Sequence, residues 1–335
     1  MLNTQQRINA LVDLTTLIKE VDKDQIFELA KNKNGFFIPE FSGLALSNVL
    51  DWNNKQSLQD WAKDVPEENL KPKKVGLILA GNIPLVGWHD LLTVFISGNI
   101  AVYKPSTNDE VLIDWLVKNL ISVCPEAKDY FIKSENMKGI DAIIATGSSS
   151  SALHFHYYFK QIPRLIRGSK SSLGLLYGFE NQAELELLAD DIFLYFGLGC
   201  RNVSKILVPE DYDFDTLFKA TEKYKSLIDN HKFQNNAIYH QSIFLMNGDT
   251  FLHNDILMIR PNDSLYSPIS VLNYQEYKNL ELAKEIIESH KPDLQCLLSH
   301  KGQLMGSIPF GSAQKPDIEQ YADGVNTLEF LLSLA

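Results

Sequence analysis

Cys200 lies on a turn between two predicted regular elements, a position suited to a nucleophilic cysteine. Cys200 follows Gly197-Leu198-Gly199 and precedes the apolar run Lys205–Pro209. Residues 180–195 repeat Leu, Ala and Ile at helical spacing, so a helix, a glycine turn and a strand are predicted to hold the thiol on a loop. A thiolate there can attack a carbonyl carbon. The competing interpretation is a small buried hydrophobe, because no histidine lies nearby in sequence to activate the thiol.

The other two cysteines have the pattern of core residues. Cys124 ends a helical run before Pro125, and Cys296 lies inside the apolar run 294–298. Three scattered cysteines form neither a disulfide framework nor a zinc site. We therefore expect no metal and take Cys200 as the candidate nucleophile.

Composition excludes several classes of function. The chain has 335 residues, enough for two domains. Its net charge of −11 argues against broad nucleic-acid binding, which needs clustered positive charge. The N-terminal residues lack the pattern of a signal peptide, and the longest apolar stretch, Leu91–Ile96, is too short to span a bilayer. We expect a cytoplasmic protein without a membrane span.

Strands and helices alternate along the first half of the chain, after about 70 residues of helical pattern. The predicted strands are Val75–Ala80, Ile100–Lys104, Asp129–Ile132 and Ile140–Ala145. Alternation at this interval favours right-handed βαβ units and a parallel sheet.

Three of these strands end in polar loops. The loops are Gly81-Asn82, Lys104-Pro105-Ser106 and Thr146-Gly147-Ser148. Because ligands bind at the carboxyl ends of parallel strands, these loops are candidate ligand contacts. The third loop precedes a predicted helix and is either a phosphate-binding turn or a plain N-cap. No G-x-G-x-x-G dinucleotide fingerprint is present.

The second half of the chain has the same alternation around Cys200. The predicted elements are strands at Leu173–Tyr177, Ile206–Val208, Ile256–Ile259, Ile269–Tyr274 and Gln295–Ser299, and helices at Phe214–Asp229, Gln275–His290 and Thr327–Leu334.

Two stretches, in this order, resemble a known family. Gly81-Asn82-Ile83-Pro84-Leu85-Val86-Gly87-Trp88-His89-Asp90 and Gly197-Leu198-Gly199-Cys200-Arg201-Asn202-Val203-Ser204 are similar to motifs of acyl-CoA reductases related to the fatty-acid reductase of bacterial luminescence. This LuxC-like family is a branch of the aldehyde dehydrogenase superfamily. The resemblance runs from about Val75 to the C-terminus.

The resemblance implies a role for each matching residue. Cys200 is the nucleophile, and Asn82 stabilises the oxyanion together with the Cys200 backbone N–H. Lys104 and Ser106 bind the cofactor ribose or its phosphate, and Thr146, Gly147 and Ser148 form the turn at its pyrophosphate. Gly199, Arg201, Asn202 and Gly311 belong to loops near the substrate. The implied cofactor is NADPH, with NADH as the alternative.

Two departures from the superfamily pattern bear on the reaction. Aldehyde dehydrogenases that make acids carry Glu-Leu-Gly-Gly-Lys, whose Glu activates water, where this chain has Ile166-Arg167-Gly168-Ser169-Lys170. The later Glu-x-Phe-Gly-Pro is similar to Ser264-Leu265-Tyr266-Ser267-Pro268, which lacks the glutamate that grips the nicotinamide ribose. An apolar Ile166 favours reduction of an activated acyl group over oxidation of an aldehyde.

We therefore expect an α/β, aldehyde-dehydrogenase-like protein with two doubly wound parallel-sheet domains and the active site between them. The expected organisation is a helical segment 1–70, a cofactor domain 71–168 with 309–335 packing back onto it, and a catalytic domain 169–308. The expected reaction reduces acyl-CoA to aldehyde through a cysteine thioester. Alternatives are a dehydrogenase for another activated acyl or semialdehyde substrate, and an inactive binding subunit. A homo-oligomer or an acyl-transferring partner stays open.

Overall fold

The computed structural model describes residues 1–334 and divides them into two compact units. The first unit contains residues 1–169 and 317–334, and the second contains Lys170–Pro316. Each unit is built on one sheet.

The first unit begins with four helices: α1 Thr4–Glu20, α2 Asp24–Lys33, α3 Pro39–Trp52 and α4 Lys55–Trp61. Asn3 and Gln6 form a capping box at the start of α1, and Asn54 caps α4. The apolar faces of these helices are buried in the same core as the sheet that follows. Leu11 and Leu14 of α1, for example, are completely buried.

Five parallel strands form the sheet of the first unit. The elements are β1 Lys74–Ile78, α5 Trp88–Ile96, β2 Ile100–Lys104, α6 Glu110–Val123, β3 Phe131–Lys133, β4 Ala142–Thr146, α7 Ser149–Tyr158 and β5 Arg164–Arg167. The strand order is β3-β2-β1-β4-β5. Because all pairs are parallel, the carboxyl ends of the strands share one edge.

A seven-stranded sheet organises the second unit. Its elements are β6 Ser171–Leu175, α8 Gln182–Phe193, β7 Val203–Pro209, α9 Asp215–Thr221, α10 His231–Asn247, β8 Leu252–His253, β9 Met258–Pro261, β10 Val271–Tyr277, α11 Leu280–His290, β11 Leu294–Ser299 and β12 Ile308–Pro309. The order is β12-β11-β6-β7-β10-β9-β8, and only the short pair of β8 and β9 is antiparallel. A last helix, α12 Thr327–Leu332, belongs to the first unit.

The predicted α/β class with parallel sheets is confirmed, whereas the start of one predicted helix is wrong and one helix was not predicted. A helix does not begin at Gln275, because residues 275–277 continue β10 and pair with 207–209 of β7; α11 begins only after the Asn279 cap. Helix α10 was not predicted, since its 17 residues include only two buried side chains, Phe233 and Phe244.

The return of the chain to the first unit begins at Asp317 instead of residue 309. The reason is that β12 pairs with β11 and so keeps residues 308 and 309 in the second sheet. The assignment of cofactor binding to one unit and of the nucleophile to the other stays a prediction.

Within the described residues 1–334, no helix has the length and apolar character needed to cross a membrane.

Candidate active site

The turn before Cys200 has a strained backbone. Tyr195 and Phe196 have φ values of 56° and 57°, and Gly197 continues the left-handed run at 74°. Bulky residues avoid this region, at a cost of about 1–3 kcal/mol each, and persist there only when their surroundings hold them. Both aromatic side chains are buried, and the Phe196 ring packs 5.7 Å from that of Phe233. Backbone strain of this kind is concentrated at functional sites.

Asn202 fastens this turn to the end of α8. Its side-chain oxygen accepts a hydrogen bond from the Gly199 N–H at 2.8 Å. Its amide group donates to the carbonyls of Asp191, Ile192 and Leu194 at 3.0, 3.3 and 2.8 Å. The residue is 2% exposed, and its side chain is engaged with the turn and with the end of α8.

Cys200 itself is half-buried at the amino end of β7. The Ser172 hydroxyl of β6 donates to the Cys200 carbonyl at 3.0 Å and accepts from the Cys296 N–H at 3.1 Å. The Arg201 guanidinium donates to the Cys296 sulfur at 3.4 Å. Burial raises the pKa of the Cys296 thiol. A fixed backbone and an accessible side chain are what a nucleophilic cysteine requires.

Gly311 lies on a loop held by the same helix end. The Asp191 carboxylate accepts hydrogen bonds from the backbone N–H groups of Gly311 at 2.5 Å and Ala313 at 3.1 Å. Gly311 has φ 80°, and a Cβ there would lie 2.8 Å from a Leu187 methyl carbon. Burial is the main cause that raises the pKa of Asp191 to about 7, although the hydrogen bonds from the Gly311 and Ala313 N–H groups lower it in part. One helix end therefore anchors both the nucleophile turn, through Asn202, and this loop.

In the first unit, the loops that follow β1 and β2 pack closely. A Cβ on Gly81 would lie 2.3 Å from the Ser106 Cβ, so only glycine fits. Asn82, the next residue, is exposed. Asp109, beneath this loop, is 1% exposed, and burial holds the pKa of its carboxyl group well above its usual range. The Leu85 amide nearby lowers that pKa by a smaller amount.

The remaining predicted cofactor residues lie along the same edge. Lys104 ends β2 and forms an ion pair with Glu135 at 3.0 Å. Thr146 ends β4, and the Ser148 hydroxyl accepts from the Ser151 N–H at 3.3 Å as the N-cap of α7. Gly147 is half-buried and Ser148 exposed, so these polar groups are open to a ligand.

The second half of the Gly81–Asp90 motif is structural. Asp90 pairs with Arg167 at 2.8 Å in a buried ion pair, and Arg167 also donates to the Thr327 hydroxyl at 2.8 Å. His89 contacts the Ile318 carbonyl at 2.8 Å and packs edge-on against Trp52 and Tyr321. These contacts join α5, β5 and α12 within the first unit.

The two segments that depart from the superfamily pattern, at Ile166 and at residues 264–268, both have well-defined contacts. Ile166 packs against Ile143, Ala145 and Phe159, so its side chain completes an apolar cluster. The segment 262–268 is held at the start of β7, where Lys205 Nζ donates to the Asp263 carbonyl at 2.7 Å and the Ser204 hydroxyl to that of Leu265 at 2.5 Å.

Sequence reasoning did not find Asp191. It sits in an apolar helical run, and its carboxylate serves a loop 120 residues away in sequence. The one available signal was the pair Asp190-Asp191 inside that run, because a charged residue on the buried face of a helix needs a partner.

Comparison with solved structures places the fold. An indole-3-acetaldehyde dehydrogenase of P. syringae, in complex with NAD+ and IAA, matches with TM-score 0.69 at 14% identity, over 91% of this chain and 74% of its own. The NAD+ complex of an aldehyde dehydrogenase from Bacillus cereus matches with TM-score 0.67 at 14% identity, over 89% and 72%. An NAD-dependent aldehyde dehydrogenase from Sinorhizobium meliloti matches with TM-score 0.66 at 11% identity, over 91% of this chain and 72% of its own.

No protein-family profile matches the chain, and no curated protein sequence matches it. The chain has the aldehyde dehydrogenase fold, as predicted.

Proposed function

We propose that the protein reduces an acyl-CoA thioester to the aldehyde with a reduced nicotinamide dinucleotide, through an acyl thioester on Cys200. The observation that carries the proposal is the nucleophile turn. A strained, buried backbone fixed by Asn202 presents a half-buried thiol just before the first residue of β7. The aldehyde dehydrogenase fold supports an oxidoreductase of this type.

The first half-reaction uses the chain's own groups. The Cys200 thiolate attacks the thioester carbonyl carbon, forming a C–S bond and a tetrahedral oxyanion. We assign stabilisation of that oxyanion to the Asn82 amide and the Cys200 backbone N–H; one such donor is typically worth about 3–4 kcal/mol. Collapse of the adduct breaks the bond to CoA, which leaves as a thiolate, and Cys200 keeps the acyl group.

The second half-reaction returns the enzyme to its starting state. Lys104, Ser106 and Thr146 would hold a reduced nicotinamide dinucleotide, which would supply the hydride needed at the acyl carbon. The resulting thiohemiacetal on Cys200 collapses, the C–S bond breaks, and the aldehyde leaves while the thiolate is restored.

Hydrolysis of the acyl-enzyme competes with reduction. A general base that activates water would divert the acyl group to the acid. The side chain at the position of that base, Ile166, is engaged in an apolar cluster, and its neighbour Arg167 is held by Asp90. Both facts favour reduction.

The polar edge of the first sheet suits the dinucleotide chemically. Lys104, Ser106 and Thr146 supply donors at the carboxyl ends of β2 and β4, and the start of α7 offers backbone N–H groups to a pyrophosphate. The solved relatives named above include NAD+ complexes.

The test is aldehyde formation from a panel of acyl-CoAs with NADH and NADPH. We expect activity in the wild type and in Cys124→Ala, and a loss of at least about a thousandfold in Cys200→Ala. Acid as the only product, or activity that survives in Cys200→Ala, would refute the proposal. Reduction of acyl phosphates alone would favour a dehydrogenase for another activated acyl group.

A further inference from the structure

Three lysines around the carboxyl ends of β2 and β3 are each engaged by a carboxylate. The pairs are Lys104–Glu135 at 3.0 Å, Lys133–Asp114 at 2.5 Å and Lys33–Glu110 at 2.7 Å. Lys133 also lies 3.8 Å from Glu110, so two of the pairs form one network. The cations that a phosphate would use at this edge are already compensated.

The charge at this edge bears on which dinucleotide the chain accepts. NADPH and NADH differ only in the 2′-phosphate of the adenosine ribose. A 2′-phosphate needs uncompensated positive charge, whereas a ribose 2′-hydroxyl is bound in α/β dinucleotide folds by an acidic side chain at this edge. Here Lys104 ends β2, and Glu135 follows β3, the strand beside it.

Resting on the proposed function, we propose that Glu135 makes the protein select NADH over NADPH. Its carboxylate accepts a hydrogen bond from the ribose 2′-hydroxyl while the Lys104 ammonium donates one to the same oxygen. A 2′-phosphate at that place is repelled by the Glu135 carboxylate. It can pair with the Lys104 ammonium only if the Lys104–Glu135 ion pair breaks. This selection is the opposite of the NADPH preference that the resemblance implies.

The strength of the selection follows from exposure. The Glu135 side chain is 76% exposed and that of Lys104 44%, so both are well solvated and the carboxylate can swing away from a phosphate. A surface ion pair of this kind changes an equilibrium by about two- to fivefold. We therefore expect a preference of about fivefold and not an absolute exclusion.

The experiment measures binding without turnover. NADH and NADPH are titrated into the full-length protein, without acyl-CoA, and followed by nicotinamide fluorescence. The variant is Glu135→Gln. The matched control is Glu281→Gln, which removes an equally exposed carboxylate (79%) from a pair with Lys284 at 2.8 Å, in the other unit. Both variants change the net charge by the same amount.

We expect the wild type and the control to bind NADH about fivefold more tightly than NADPH, and Glu135→Gln to bind the two within about twofold. A wild type that prefers NADPH, or an unchanged ratio in Glu135→Gln, overturns the inference and leaves the proposed function standing. A wild type that binds neither dinucleotide overturns both.

Discussion

Asn202 and Asp191 show how much of a nucleophile's setting comes from residues that do no chemistry. Asn202 makes four side-chain hydrogen bonds around the turn, and Asp191 makes two to the Gly311 loop. The sequence pointed to Asn202 only as a residue near the substrate, because the resemblance places it beside Cys200. Its burial shows that it positions the turn, a role that depends on where α8 ends and cannot be deduced from spacing.

Replacing Asn202 with Ala should therefore loosen the nucleophile turn. Two buried carbonyls, one partly buried carbonyl and the Gly199 N–H would each lose a hydrogen bond, and we expect a loss of about 2–4 kcal/mol in the free energy of unfolding. Urea unfolding measures this loss. Asn236→Ala is the control, since the Asn236 amide donates to the Lys232 carbonyl at 2.8 Å on an exposed helix face. Equal stability of the two variants would show that Asn202 does not hold the turn.

At the scale of elements, hydrophobic runs predict the strands that are buried on both faces. They do not predict the segments that bury only one face. β1, β2 and β4 are apolar on both faces, as expected for central parallel strands, and were found within about two residues. The run Gln275-Glu276-Tyr277 is predicted as the start of a helix, and only its pairing with β7 makes it the end of β10. Close packing between loops, such as Gly81 against Ser106, leaves no signal in a single sequence.

That loop contact predicts a large effect of one methyl group. In Gly81→Ala the new Cβ would lie 2.3 Å from the Ser106 Cβ, so the loops after β1 and β2 must move apart. We expect a destabilisation of about 1–3 kcal/mol and weaker dinucleotide binding. In the double variant Gly81→Ala, Ser106→Gly the clash is removed, and we expect most of the stability to return.

The control for this series is Gly43→Ala in α3, where the nearest atom to a new Cβ lies 3.7 Å away. An alanine in a helix interior should be neutral or stabilise by up to about 1 kcal/mol. If Gly81→Ala unfolds like Gly43→Ala in a thermal melt, the loops are not packed as described.

For the whole molecule, the alternation of strands and helices along the chain predicts two parallel sheets. It does not predict the route of the C-terminal segment. That segment crosses from β12 to the first unit, where α12 meets the Asp90–Arg167 pair through Thr327. Contacts between residues this far apart in sequence depend on the finished fold. The protonation state of a side chain also depends on its burial in the finished fold, as the raised pKa of Asp191 shows.

Asp191 should make the free energy of unfolding decrease as the pH rises from about 4 to about 7. Its pKa is about 7 in the folded state and about 3.9 in an unfolded chain, so the folded state binds more protons between these values. The contribution of Asp191 to stability is fully present below about pH 4 and falls as the pH rises to about 7, by at most about 4 kcal/mol.

This contribution is isolated by comparing urea unfolding of the wild type and Asp191→Asn from pH 4.5 to 8. We expect the difference between the two proteins to move against the wild type as the pH rises and to level off above about pH 7. A difference that is constant over this range would mean that the carboxylate titrates normally.

Acylation of Cys200 tests the central claim most directly. The protein is mixed with an acyl-CoA in the absence of any dinucleotide, and the intact mass is measured for the wild type, Cys124→Ala and Cys200→Ala. The account predicts one acyl group on the first two proteins, none on the third, and release of the group as aldehyde when NADH is added. An acyl group that persists in Cys200→Ala, or a wild type that is never acylated, would contradict it.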